Sequence, residues 1–208
     1  PAQRYWTARL GGTDLALNLP LDRPRPPTET HRGQTHSFPI PADTGEALKR
    51  WCAHARVTPF SALIAVFAGL LGRYANQSQV SIGYPVSGRG QRAIEDLIGC
   101  FVNTQVLLAD IGEQDSLAGL VDQVRQHVGD AHEHQDFPFE RLVDLVQRER
   151  SLDRSPLFQV LFTYTPNPGE LRSMQGLDVQ ALEVPSSYAK FDLSLAVWDS
   201  GSGLRARI

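Results

Sequence analysis

Residues 96–105 read DLIGCFVNTQ, and this stretch decides how the rest of the chain is interpreted. A short apolar turn ends at Gly99, and the run 101–109 that follows is rich in β-branched and aromatic residues, which predicts a buried strand. One amide, Asn103, lies inside this predicted strand. Because a buried carboxamide without partners costs about 1–3 kcal/mol, Asn103 either holds a neighbouring backbone segment in place or faces a cavity in which a polar substrate supplies the partner.

Two helices and a strand are predicted upstream of this stretch. Asp43 or Thr44 is expected to cap a helix that runs to about residue 55. Thr58, followed by proline at the first helical position, opens a second helix to about residue 74. This second helix is apolar almost all round, so it should be buried. A short strand is predicted at 79–84, directly before the loop that leads to Gly99.

Helices and strands continue to alternate downstream. A helix capped by Asp115 or Ser116 comes first, and a second one starts at Pro138. Three later strands are predicted, at 157–165, 177–184 and 191–198. Strands interleaved with helices and followed by a late run of strands predict the α/β class, with a mixed β-sheet flanked by helices.

Composition excludes several classes of protein. The chain has 208 residues, 41% of them hydrophobic and 21% charged, which fits one large or two small globular domains. A net charge of −3 supplies no basic field for nucleic acid. No apolar run approaches the roughly 20 residues of a membrane helix, and the first residues lack the apolar core of a secretory signal. We expect a cytoplasmic protein with two buried free thiols, Cys52 and Cys100.

Three possible chemical sites receive little support from the residues. The loop at 85–90 lacks the spacing of a phosphate-binding P-loop. Ser87 is not set in the G-x-S-x-G turn of a nucleophilic serine. His132 and His134 are two residues apart and do not share a helical face, so no metal site is predicted.

Three stretches, in this order and at these distances, resemble motifs of the condensation domains of nonribosomal peptide synthetases. The residues read IGCFVNT at 98–104, HQDFPFE at 134–140 and RSLDRSPLFQV at 150–160, against family motifs I-G-x-F-V-N-T, H-Q-D-x-P-F-E and a segment ending S-x-x-x-S/N-P-L-F-Q-V. The resemblance marks as structural motif residues Gly99, Phe101, His134, Asp136, Pro138, Phe139, Arg154 and Pro156. Of these, His134 is expected to pack and fix the following helix start, which Asp136 would cap, and Arg154 to anchor a turn.

The resemblance implies a chloramphenicol-acetyltransferase-like lobe. Condensation domains are about twice as long as this chain and consist of two such lobes, the first of which carries a catalytic H-H-x-x-x-D-G motif. That motif is absent from this sequence, so no catalytic residue is expected here. We therefore expect the C-terminal lobe, cut from a longer protein and short of its final strand and helix. Within it, residues 1–28 would be the end of an inter-lobe helix and a proline-rich crossover, 85–95 a floor loop and 165–176 a latch.

The function implied by the resemblance is amide-bond formation between a donor acyl or peptidyl thioester and an acceptor aminoacyl thioester. No cofactor would bind directly, because both substrates arrive on the phosphopantetheine arms of carrier proteins. The expected partners are the N-terminal lobe, the donor and acceptor carrier proteins and an adjacent adenylation domain, without nucleic acid or membrane. Asn103, Ser87, Gly88 and Arg89 would be the substrate-binding residues. The form of the 98–104 motif favours amide formation over epimerisation or heterocyclisation.

Two other functions remain open at this stage. The chain could be a docking module that recognises carrier proteins without chemistry, or an independent acyltransferase that uses His134. The leading interpretation predicts a fragment that is inactive alone and that self-associates, because a lobe built to face another exposes apolar surface.

Overall fold

A computed structural model of the chain describes residues 1–90, 92–112, 116–146, 151–166, 187–200 and 203–208. The helices in these residues are α1 (Ala2–Leu10), α2 (Ala42–Ala55), α3 (Pro59–Ala75), α4 (Leu117–His132) and α5 (Phe139–Val146). The strands are β1 (Ser37–Pro39), β2 (Gln79–Val86), β3 (Asn103–Asp110), β4 (Val160–Thr165), β5 (Leu193–Asp199) and β6 (Leu204–Arg207).

The strands form one mixed sheet in the order β1-β6-β5-β4-β2-β3. Strand β2 is antiparallel to β3 and parallel to β4, which is in turn parallel to β5. Val86 pairs with Asn103, so the loop at 87–102 leaves and rejoins the sheet at one edge, the edge where β4 and β5 also end. The sheet and its flanking helices confirm the predicted α/β class.

The two faces of the sheet are covered by different helices. On one face, Ile64 and Ala68 of α3 and Val124 of α4 are fully buried against the alternate side chains of β2 and β3. On the other face, Trp6 and Leu10 of α1 pack with residues of α5. The burial predicted for α3 holds only in part, because Val66, Leu70 and Tyr74, at helical spacing, are 46%, 50% and 65% exposed and leave one face of the helix at the surface.

Of the four helix caps predicted from the sequence, two are confirmed, and one of the two wrong ones lies at the start of α2. The Thr58 hydroxyl accepts the Ser61 N–H at 3.1 Å, and the Ser116 hydroxyl accepts the Gly119 N–H at 3.1 Å, as predicted for α3 and α4. The cap predicted at Asp43 or Thr44 is wrong, because α2 starts after Pro41 without a side-chain cap. Proline holds φ near the helical value, so the helix begins earlier than the polar residues suggest.

The fourth strand starts later than predicted. Leu157 has a φ of 63°, in the left-handed region that residues other than glycine rarely adopt. The Phe158 N–H donates to the Pro156 carbonyl at 2.8 Å and closes a three-residue turn, so the strand begins only at Val160.

Other expectations have mixed outcomes. Cys52 is buried as predicted, whereas Cys100 is exposed, which corrects the prediction of two buried thiols. The predicted strand at 177–184, and the predicted latch beyond residue 166, lie outside the described residues. No single described helix is long and apolar enough to cross a membrane; only α2 and α3 taken together, with a 110° bend between them, reach that length and composition.

Candidate functional site

Asn103 is the first residue of β3, and its half-buried carboxamide uses both its donors and its acceptor. Its Nδ2 donates to the carbonyl oxygens of Gln135 at 2.8 Å and Phe137 at 2.9 Å. Its Oδ1 accepts the N–H groups of Thr104 at 2.9 Å and Phe139 at 3.1 Å. Of the two roles left open by the sequence, the structure therefore displays the holding of a neighbouring backbone. The predicted contact with a substrate stays a prediction.

The helix start at α5 is capped from a distant strand. The acceptor for the Phe139 N–H is Asn103, and Asp136 is exposed, so the predicted Asp136 cap is wrong. A side chain on β3 reaches this position because the connection between α4 and α5 lies against the first residue of that strand. Pro138 supplies the carbonyl that accepts the Leu142 N–H at 3.1 Å, as expected of a residue at the helix start.

A second carboxamide, which the sequence analysis missed, lies two residues along the same strand. Gln105 is only 2% exposed, and its Nε2 donates to the Ala131 carbonyl at the end of α4 at 2.6 Å. Its Oε1 accepts the hydroxyl of Tyr84 at 2.9 Å. Burial raises the pKa of Tyr84, so this hydroxyl is a neutral donor. The signal in the sequence was a glutamine at the period-2 spacing from Asn103 in an apolar strand.

Aromatic packing joins the second motif to the third. The ring centroids of Phe139 and Phe158 lie 5.6 Å apart, and those of Phe158 and Phe191 lie 5.2 Å apart. Gly83 of β2 makes room for this cluster, because a Cβ there would lie 2.3 Å from the Phe158 ring. The stretches 98–104 and 134–140 and the described part of the third, 151–160, are therefore joined at the start of β3 and at the turn before β4.

His134 occupies a packing position. Its ring lies 4.5 Å from the ring of Tyr5 between centroids, and its carbonyl accepts the Phe137 N–H at 3.2 Å. These contacts agree with the predicted role of fixing the approach to α5.

The loop between β2 and β3 is organised by the three residues predicted at 87–89. Ser87 is exposed, and its hydroxyl accepts the Arg89 N–H at 3.4 Å. Gly88 has a φ of +63°, and a Cβ there would lie 1.9 Å from the Phe101 carbonyl oxygen, so only glycine fits. The Arg89 guanidinium turns inward to loop carbonyls, and Cζ lies 4.4 Å from the centroid of the Phe101 ring. The predicted contacts of these residues with a substrate stay predictions.

Two charged neighbours, Asp153 and Arg154, lie in the turn before β4, and the anchoring role predicted for Arg154 stays a prediction. The Arg154 guanidinium donates twice to the Asp153 carboxylate, at 3.2 and 3.1 Å. These bonds, together with one from Ser151, lower the pKa of Asp153 to about 2. Arg25 of the proline-rich segment donates to the Asp153 carbonyl at 3.0 Å and forms an ion pair with Asp192. The segment predicted as a crossover is thus fixed to this turn.

The histidine with a perturbed pKa lies elsewhere. Burial, and then the positive charge of Arg9, lower the pKa of His127. A guanidinium nitrogen of Arg9 lies 2.6 Å from its Nδ1, which must therefore be the unprotonated acceptor. Arg9 also bonds to the Leu108 carbonyl, near the end of β3 opposite Asn103. His127 is therefore not positioned to act as a base beside Asn103.

Comparisons with known proteins agree with this assembly. A family model described as Condensation domain matches residues 1–208. The phosphinothricin tripeptide synthetase PhsC of Streptomyces viridochromogenes is 40% identical over 200 residues, 95% of this chain and 18% of that protein. The X-domain from teicoplanin biosynthesis has a TM-score of 0.86 at 23% identity, over 99% of this chain and 48% of the solved one.

A further solved structure extends the likeness of fold. The condensation domain of the Monacolin K polyketide synthase MokA has a TM-score of 0.81 at 18% identity, over all of this chain (100%) and 51% of the solved one. The chain thus spans about half of each of these two solved neighbours and a small part of the tripeptide synthetase. The likeness to these solved chains confirms the fold that the resemblance implied.

Proposed function

Because this chain belongs to the condensation-domain family of nonribosomal peptide synthetases, we propose that it is the C-terminal lobe of such a domain. The domain joins a donor acyl or peptidyl thioester to the amine of an acceptor aminoacyl thioester. The observation that carries the proposal is the meeting of the motif stretches: the Asn103 carboxamide binds the connection between α4 and α5, and Phe139 of that second stretch packs on Phe158 of the third.

In this proposal the lobe provides part of the wall of the substrate path and does not provide the catalytic base. The floor loop at 85–95 and Asn103 are proposed to border the path of the two substrates, which is supported by the pairing of Val86, in that loop, with Asn103. The proposed latch starts at Thr165, where β4 ends at this same edge. Attack of an amine on a thioester requires a base that removes the amine proton. The sequence lacks the H-H-x-x-x-D-G motif, so the base belongs to the N-terminal lobe.

The partners follow from the same proposal. Donor and acceptor carrier proteins bring the substrates on phosphopantetheine arms, and an adenylation domain loads the acceptor. The lobe itself binds no cofactor.

A single-turnover condensation assay tests the proposal. Carrier proteins loaded with donor and acceptor are mixed with this chain alone, with the upstream half of its domain alone, and with both, and the products are followed by intact-protein mass spectrometry. Product only when both halves are present is the expected result. Product from this chain alone would overturn the proposal and favour an acyltransferase that uses His134. Carrier binding without any effect of this chain on the rate would favour a docking module.

A further inference from the structure

Arg89 makes an unusual set of contacts for an arginine in a surface loop. Its Nη1 lies 2.6 Å from the Ile94 carbonyl oxygen, 3.1 Å from that of Glu95 and 2.9 Å from that of Leu97. Its Nη2 donates to the Gly99 carbonyl at 3.1 Å. Four carbonyls of one loop thus surround one guanidinium, and a planar donor group suits such an arrangement because its N–H groups point in fixed directions.

Few other contacts hold the residues of this loop that the structure describes, 87–90 and 92–102. Its regular structure is a short 3-10 helix at Arg92–Ile94, and the Glu95 and Leu97 N–H groups donate to carbonyls at the long distances of 3.4 and 3.3 Å. Leu97 is 52% exposed and Ile98 fully exposed, so neither anchors the loop in a core. The loop therefore depends on Arg89 for its shape.

The same guanidinium connects the loop to the start of β3. It lies over the ring of Phe101, and the close approach of Gly88 to the Phe101 carbonyl fixes the backbone on the other side. Phe101 is two residues from Asn103. The conformation of the loop and the position of Asn103 are consequently set together.

We propose that Arg89 is a positioning residue, which holds the loop at 92–99 and the first residues of β3 in the geometry that the reaction needs, without contacting a substrate. This inference rests on the proposed function, since the loop matters to catalysis only if it borders the substrate path. It replaces the direct substrate contact expected for Arg89. A brace of this kind acts on the orientation of the reacting groups, so its loss lowers kcat and leaves carrier binding unchanged.

The kinetic test compares R89Q and R89K with R50Q in the whole condensation domain. Glutamine cannot reach four carbonyls, and lysine offers a point charge without the planar fork. We expect kcat to fall by about 10-fold to 100-fold in R89Q, the range that misplacement by about 1 Å produces, and by less in R89K. The half-saturating carrier concentration should change less than about twofold, because both carrier surfaces are intact. Arg50 is exposed on α2, which is not part of this loop, and R50Q should match the wild type.

A second measurement separates this inference from the proposed function. Amide hydrogen exchange of this chain should be faster at Glu95 and Leu97 in R89Q, while the paired amides of β2 and β3 keep their protection. If the wild-type domain forms no product, the proposed function fails, and exchange still decides whether Arg89 braces the loop. Wild-type kcat in R89Q, a raised carrier requirement at unchanged kcat, or unchanged exchange would each overturn the inference. If R89Q does not fold, R89K decides by the same readouts.

Discussion

Asn103 Oδ1 accepts the backbone N–H of Phe139 at 3.1 Å, so a residue at the start of a strand caps a helix 36 positions later in the chain. The other three bonds of the same carboxamide bind Thr104, Gln135 and Phe137. One side chain therefore holds together the start of β3, the connection between α4 and α5, and the start of α5. This explains why the motif stretches at 98–104 and 134–140 meet in space.

Replacement of Asn103 should destabilise the protein by way of this connection. N103A leaves the Gln135 and Phe137 carbonyls without their donor, and we expect a loss of about 2 kcal/mol in the free energy of unfolding. N103D keeps the acceptor for Phe139 but places a carboxylate against two carbonyl oxygens, so it should be at least as destabilising. Urea unfolding measures both. Asn18 is exposed, and N18A should stay within about 0.5 kcal/mol of the wild type.

Gly88 should be replaceable only at a cost. G88A puts a Cβ 1.9 Å from the Phe101 carbonyl oxygen at a φ of +63°. We expect a loss of more than about 1 kcal/mol, measured by thermal or urea unfolding. G129A is the matched control, since nothing lies within 4 Å of a Cβ at this helical position. There alanine should be neutral or stabilise by up to about 1 kcal/mol. Equal effects of the two substitutions would contradict the close approach at Gly88.

A double substitution tests the packing of Gly83 against Phe158. G83A forces a Cβ to within 2.3 Å of the Phe158 ring, so the single variant should lose about 1–3 kcal/mol. F158L removes part of the ring and creates a cavity by itself. The two changes should compensate in part, with a coupling energy of about 0.5 kcal/mol or more. Strict additivity in urea unfolding would show that the ring does not press on β2.

Whether a contact of this fold could be predicted from the sequence depends on how far apart along the chain its two residues are. The Thr58 and Ser116 caps were predictable because the hydroxyl and the N–H it accepts are three residues apart. The Asn103 cap was not, because its acceptor and the helix start are brought together only by the fold. The left-handed φ of Leu157 was not predicted for a related reason. An apolar side chain is typical of a strand, and the turn is found where Leu157 and Phe158 are both buried in the fold.

Self-association of the isolated chain should depend on the loop at 97–102. Ile98 is fully exposed, and Leu97 and Val102 are 52% and 61% exposed, so they form a small apolar surface. We expect concentration-dependent dimerisation in sedimentation velocity, weakened in I98D. L152D is the control, because Leu152 is 73% exposed in a different part of the molecule. A single monomeric species across a hundredfold dilution of the wild type, or equal weakening by both variants, would count against this surface.

The Arg9–His127 contact should make stability depend on pH below neutrality. The pKa of His127 is lowered in the folded protein, so the unfolded chain binds a proton that the folded chain resists. The stability is therefore present above the unfolded pKa of about 6.5, and it is lost as pH falls below that value, until His127 also protonates in the folded state. Protonation removes the acceptor at Nδ1 and places two positive charges 2.6 Å apart.

The pH dependence can be assigned to this residue by comparison of two variants. H127Q keeps a polar side chain that does not titrate, so its free energy of unfolding should fall less than that of the wild type between about pH 7.5 and 5. H132Q removes an exposed histidine of the same helix, and its profile should follow the wild type. Asp110 and Asp130 raise the pKa of His127 and so limit the effect. Without Asp130 the pKa of His127 in the folded protein falls further, so D130N should lose more stability, over a range that still begins near the unfolded pKa but extends to lower pH. If the free energies of unfolding of the wild type and H127Q change with pH in parallel, protonation of His127 beside Arg9 does not destabilise the folded protein.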